Sequence, residues 1–135
     1  MSSNELIVLI ITHGNFAQEL VNTAEMIVGD VSDVFYINFT KDMTPDALKK
    51  EVEKIVTNDK NILIFTDLFG GTCFNVAGEF LVNENVEVIA GVNLPLLLEV
   101  ILTKKIMDFS ALVSHLKIKA PESIIFVKDK LNEKK

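Results

Sequence analysis

Apolar positions along this chain alternate between two rhythms. Residues 5–11 form a nearly continuous apolar run, too short for a helix, and read as a strand buried on both faces. Residues 34–39 alternate with a period of two and predict a second strand. A third apolar run covers 61–66, a fourth 86–90, and a β-branched run at 123–127 predicts a last strand.

Between these runs the period lengthens to that of a helix. Asn15, with Gln18 three residues on, predicts a capped helix start. Leu20, Val21, Ala24, Ile27 and Val28 form its apolar stripe, and Gly29 its stop. Thr44-Pro45 opens a second helix that continues through Leu48, Val52, Ile55 and Val56. Residues 74–82 and 95–102 predict two more. Asp108 caps a last one, with Leu112, Val113 and Leu116 facing inward and Pro121 ending it. Lys128 onward reads as a charged, frayed tail.

The predicted order is β-α-β-α-β-α-β-α-α-β. Such alternation implies an α/β fold, doubly wound, with a mostly parallel four-stranded sheet and helices on both faces. Right-handed crossovers leave few topologies, among which 2-1-3-4 is the common strand order. In that order the winding reverses between strands one and three, and a crevice opens beyond their carboxyl ends. The lone run at 123–127 would lie on a sheet edge, where an unpaired strand invites pairing with another chain. No internal repeat or linker divides the sequence, so residues 1–135 read as one domain.

Composition narrows the function classes. The net charge is −6, which disfavours a nucleic-acid or anionic-membrane surface. All 13 positive side chains are lysine, and none lies before Lys41 or between Lys60 and Lys104. Any phosphate bound near residues 13, 67 or 93 must therefore rely on backbone N–H groups, hydroxyls and helix N-termini. Cys73 is the single cysteine, so no intrachain disulfide forms and a reducing compartment is the default. No stretch reads as a membrane span, and the N-terminus lacks the basic region and cleavage site of a signal peptide. A cytoplasmic location is the resulting expectation.

Two polar residues fall at the ends of predicted strands. His13 follows the first, within Thr12-His13-Gly14, and Asp67 follows the third. A carboxylate that accepts the Nδ1 proton would fix the tautomer and leave Nε2 as a nucleophile. From the residues alone a second reading stays open: Asp67 caps loop amides, and His13 packs or faces solvent. Gly70-Gly71-Thr72 permits close backbone approach to a ligand, and the amides of residues 71–75, including Phe74 and Asn75, could cradle phosphoryl oxygens. A plain tight turn is the alternative. The motif lacks the lysine of a Walker loop. Thr12 and Gly14 flank the histidine. Asn93 is placed either in the crevice lining or as a cap before Pro95. His115 and Cys73 read as structural. Phe16, Leu68, Phe69, Phe74, Leu94 and Leu96 surround the crevice in sequence. Those that are exposed would form an apolar collar for a partner protein.

Assembled, these stretches resemble the IIA domain of the mannose-family sugar phosphotransferase system. The resemblance rests on Thr12-His-Gly14 with Thr23-Ala-Glu-Met26, Asp67-Leu-Phe-Gly-Gly-Thr72 with Phe74-Asn75, and Val88-Ile-Ala-Gly-Val-Asn93 with Pro95. It covers roughly residues 5–115. It implies that His13 accepts a phosphoryl group from HPr and passes it to a IIB domain serving a membrane IIC/IID permease. It also implies that Asp67 orients His13, that no cofactor or metal is needed, and that the domain is a free-standing homodimer with an exchanged C-terminal strand. Cys73 departs from the pattern, where proline is expected. Three other readings compete. A histidine phosphatase would need an arginine clamp, which this chain lacks. The phosphotransfer subunit of dihydroxyacetone kinase resembles the same fold but fits the glycine loop less well. A non-catalytic regulatory domain is opposed by the His13 and Asp67 pair.

Overall fold

The computed structural model describes residues 5–133. Its sheet has four strands, β1 (Leu6–His13), β2 (Val34–Phe39), β3 (Asn61–Thr66) and β4 (Val86–Ala90), all parallel and ordered β2-β1-β3-β4. The helices are α1 (Phe16–Val28), α2 (Pro45–Glu53), α3 (Gly71–Glu79), α4 (Leu94–Thr103), α5 (Phe109–Lys119) and α6 (Val127–Asn132). Single 3₁₀ turns follow α3 and α5, at Phe80–Val82 and Ala120–Ser123.

The continuous apolar run of β1 is explained by burial on both faces. Leu6, Val8 and Ile10 point to a core shared with α1, α4 and α5, whereas Leu9 and Ile11 point to one shared with α2 and α3. Strand β3 splits the same way, with Leu63 and Phe65 on the first side and Ile62 and Ile64 on the second. A one-residue slip would exchange the two sets, so both cores fix the register. That register puts Ile11 opposite Thr66 and His13 opposite Phe39. Strand ends β1 and β3 therefore open on the same edge, at the winding reversal.

Most predicted boundaries agree with the structure. Thr44 Oγ1 accepts from Ala47 N at 3.1 Å and Asp108 Oδ1 from Ala111 N at 2.8 Å, as expected of caps. The start of α1 is different. Asn15 occupies the cap position, but its side chain makes no capping bond. Thr12 Oγ1, fully buried at the end of β1, accepts from Ala17 N at 2.7 Å instead. Asn15 and Gln18 both accept from the Asn38 side chain on β2. The expected capping box is thus spent on a strand-to-helix link. Thr12→Val keeps the shape and removes the acceptor, leaving a buried N–H unpaired. An expected loss of about 1–2 kcal/mol would be read as a lower urea midpoint at unchanged slope.

The C-terminal expectation needs correction. Residues 123–127 do not form a strand within this chain. Ser123 closes a 3₁₀ turn, Ile124 and Phe126 take extended backbone, and Val127 begins α6. The β-branched run supplies strand side chains, but a strand exists only when a neighbour accepts its ladder bonds. Residues 128–132, part of the expected frayed tail, are helical because Lys128, Lys130 and Leu131 are good helix formers.

Candidate active site

The site is built where β1 and β3 end. Gly14 N donates to Phe39 O at 2.9 Å, so the chain leaving β1 stays level with the end of β2. His13 is thereby held at the rim with its side chain about half exposed, whereas the Asp67 side chain is 13% exposed. Asp67 Oδ2 accepts from His13 N at 3.0 Å and lies 2.8 Å from His13 Nδ1. Its other oxygen, Oδ1, accepts from Leu68 N at 3.1 Å. The two readings of Asp67 from sequence are therefore both realised: it binds loop amides and the imidazole.

Burial raises the Asp67 carboxyl, but the backbone N–H, ring and charge of His13 outweigh it and hold the group below its ordinary value. Asp67 is ionised at neutral pH and only accepts hydrogen bonds. In the neutral ring the proton in the bond then sits on Nδ1, which leaves a lone pair on Nε2. Tautomer and orientation of the neutral imidazole follow from this one contact.

Helix α3 abuts the same ring. Gly70 and Gly71 both have positive φ, 120° and 83°, a conformation that other residues resist. This double turn starts the helix directly beside His13: a Cβ added at Gly71 would stand 3.9 Å from His13 Cε1. No side chain caps α3. Its first-turn amides, from Gly71 to Cys73, have no intrahelical acceptor and lie beside the half-buried Thr72 hydroxyl, where an anion can meet them; the N–H groups of Phe74 and Asn75, expected in the cradle, are spent on the first bonds of the helix itself. Lysine ion pairs among the described residues join other acids, such as Lys49 with Glu79 and Lys104 with Asp33, and none involves Asp67. The cradle is neutral, as the lysine distribution implies.

Two contacts to His13 are not evident from sequence. Phe39 packs edge-on against the imidazole, with centroids 5.8 Å apart and an interplanar angle of 86°. Its signal lies in the register, since β1 and β2 end level. Cys73 Sγ lies 3.9 Å from His13 Nδ1, although the cysteine is fully buried in the α2/α3 core. Burial first, and then the Asp67 charge, push the Cys73 thiol up to about 12, so it is a neutral thiol at pH 7. Asn93 is a cap: Oδ1 accepts from Leu96 N at 2.9 Å and Nδ2 donates to Ser123 Oγ at 3.1 Å. Both polar ends are engaged there. His115 ties α5 to Glu99 of α4 at 2.6 Å, the structural role expected of it. Of the apolar residues near the crevice, Leu96 is buried and Leu94 and Phe74 are half-buried, whereas Phe16, Leu68 and Phe69 are exposed.

Fold and site together define a doubly wound parallel-sheet protein with an oriented histidine at its switch point. The family model described as PTS system fructose IIA component matches residues 7–117. The chain belongs to this mannose-type EIIA family of the phosphotransferase system. It is 35% identical over 115 residues to the PTS system sorbose-specific EIIA component of Lacticaseibacillus casei, covering 81% of each chain. It is 36% identical over 102 residues to the PTS system mannose-specific EIIAB component of Escherichia coli K12, covering 72% of this chain and 31% of that protein. The chain thus spans about a third of the length of that relative. A crystal structure of phosphotransferase system component EIIA from Streptococcus agalactiae superposes with a TM-score of 0.86 at 30% identity, covering 92% of this chain and 98% of that one.

Proposed function

We propose that this chain is a phosphohistidine carrier of a sugar phosphotransferase system. His13 takes a phosphoryl group from phospho-HPr and gives it to a IIB domain, which feeds a membrane IIC/IID permease. The observation that carries this reading is the 2.8 Å contact of His13 Nδ1 with Asp67, which leaves Nε2 free beside the α3 N-terminus. In the transfer, Nε2 attacks phosphorus as the bond to the donor's nitrogen breaks. The ring keeps its Nδ1 proton, and Asp67 stabilises the positive charge that develops. Amides of residues 71–73 and the Thr72 hydroxyl meet the phosphoryl oxygens. A neutral cradle suits a carrier, because a cationic clamp would oppose release.

Exposed Phe16, Leu68 and Phe69 supply an apolar rim around the histidine. A docked partner would cover it and exclude water from the phosphoryl group. The test is incubation with phosphoenolpyruvate, enzyme I and HPr. One acid-labile phosphoryl group is expected on the peptide holding His13, discharged when a IIB domain is added. No label, or label on another peptide, would overturn the reading.

The working unit is proposed to be a homodimer. Three features support it: the outer edge of β4 has no strand beside it among the described residues, an apolar groove runs along Val88, Ile89, Leu96, Val113 and Leu116, and Ile124 to Val127 are exposed. The 124–127 segment of one copy laid on β4 of another would pair both. Sedimentation should give a dimer for the full chain and a monomer for a chain ending at Ser123. A monomeric full chain at micromolar concentration refutes this.

A further inference from the structure

The Cys73 thiol has no part in the phosphoryl transfer set out above, yet it stands against the nucleophilic ring. His13, Asp67 and Cys73 each offer one ligand atom, and these atoms all lie within 4.8 Å of one another. Nδ1 to Oδ2 is 2.8 Å and Nδ1 to Sγ is 3.9 Å. Tetrahedral zinc, with bonds of about 2.0–2.3 Å, needs ligand atoms roughly 3.3–3.7 Å apart. The observed spacings bracket that range, so rotamer adjustments of well under a side-chain length would close the site.

We propose that His13 Nδ1, Asp67 Oδ2 and Cys73 Sγ form a site for a thiophilic divalent cation of the zinc type, whose occupation excludes phosphorylation of His13. The donor set decides the class of ion. Thiolate and imidazole select zinc-like ions, whereas magnesium and calcium require an all-oxygen shell. Asp67 brings negative charge, and none of the lysine ion pairs involves it. His13 at the rim gives the ion a path inward and leaves a fourth position open to water.

Exclusion follows from proton positions. A neutral imidazole carries one proton. Phosphoryl acceptance needs it on Nδ1, with the lone pair on Nε2. A metal on Nδ1 binds the tautomer whose lone pair is on Nδ1 and whose proton is on Nε2, so the Nε2 nucleophile is lost. The Cys73 thiol releases its proton to water as the metal–sulfur bond forms. The same bond between ring and carboxylate that prepares His13 for transfer must open to admit the ion. Exclusion, unlike the site itself, rests on the phosphocarrier reading.

The test uses the intact metal-free chain with Co²⁺ and Zn²⁺ as probes. Cobalt should raise a near-ultraviolet thiolate charge-transfer band that saturates at one ion per chain, and zinc should abolish it by displacement. Cys73→Ala should lack the band and bind zinc roughly tenfold or more weakly against a chromophoric chelator. A wild type without the band, or a band retained in Cys73→Ala, overturns the site. Transfer from preformed phospho-HPr is then followed with magnesium present, with and without zinc. Wild type should label only without zinc, and the Cys73→Ala rate should be the same in both. Equal labelling of zinc-loaded wild type overturns the exclusion. A normal cobalt band with no labelling of zinc-free protein strikes at the phosphocarrier reading and leaves the metal site standing.

Discussion

His13→Ala should take no phosphoryl group from phospho-HPr, with intact mass unchanged after incubation times that saturate the wild type. The argument is chemical rather than structural. On the proposed reading the Nε2 lone pair is the nucleophile, since Asp67 is ionised and poorly nucleophilic and Cys73 is a protonated thiol. Removing the ring also leaves the fold nearly untouched. His13 is about half exposed, and its backbone bonds to Asp67 and β2 do not depend on its side chain. Its loss should change stability by no more than about 1 kcal/mol, so the urea midpoint separates a missing nucleophile from a missing domain. His115→Ala is the matched control. That histidine is held by Glu99 between α4 and α5, far in sequence from the glycine turn, and its variant should label as the wild type does. Label retained by His13→Ala would place the chemistry on another residue.

What was legible in the sequence was whatever a short window or a buried strand encodes. Strands β1 and β3 announce themselves because burial on both faces leaves no polar position. Once they are placed, topology brings residues 13 and 67 to one edge, although 54 positions separate them. Thr44 and Asp108 were legible as caps because their partners lie three residues on. Thr12 was not legible as a cap. Its acceptor role depends on the angle at which β1 delivers it to α1, which no spacing rule contains. The Cys73 contact hid for the same reason. Burial on a helix predicts packing, whereas its approach to His13 depends on the two positive φ angles that set α3 against the ring. The C-terminal run misled in the opposite way. Its composition encodes strand preference, but a strand also needs a ladder partner, which no local window contains. Ile124 and Phe126 take extended backbone, and the side chains of residues 124–126 are exposed.

The second large effect is expected at Asp67. Asp67→Ala should slow transfer from phospho-HPr by roughly 10²–10⁴-fold, since it removes both the orienting bond and the negative charge that stabilises the phosphorylated ring. Asp67→Asn should be at least as slow. Its amide can donate to Nδ1, which moves the ring proton to Nε2 and inverts the tautomer, as in other histidine sites whose aspartate is exchanged for asparagine. A structural role alone predicts the opposite order, because asparagine keeps the shape and can still accept from the Leu68 amide. The ranking of the two variants, measured by rapid quench, therefore separates orientation of the ring from support of the loop. Stability gives an independent reading. The folded carboxyl titrates below its ordinary value of 3.8, so its contribution is complete above that pH and is lost as pH falls through the lower, folded value. The gap in urea midpoint between wild type and Asp67→Asn should close as pH falls below about 4. Equal transfer rates in all three proteins would remove Asp67 from the mechanism. A gap that stays open below about pH 3 would mean that the carboxylate is not held by the contacts it makes with His13.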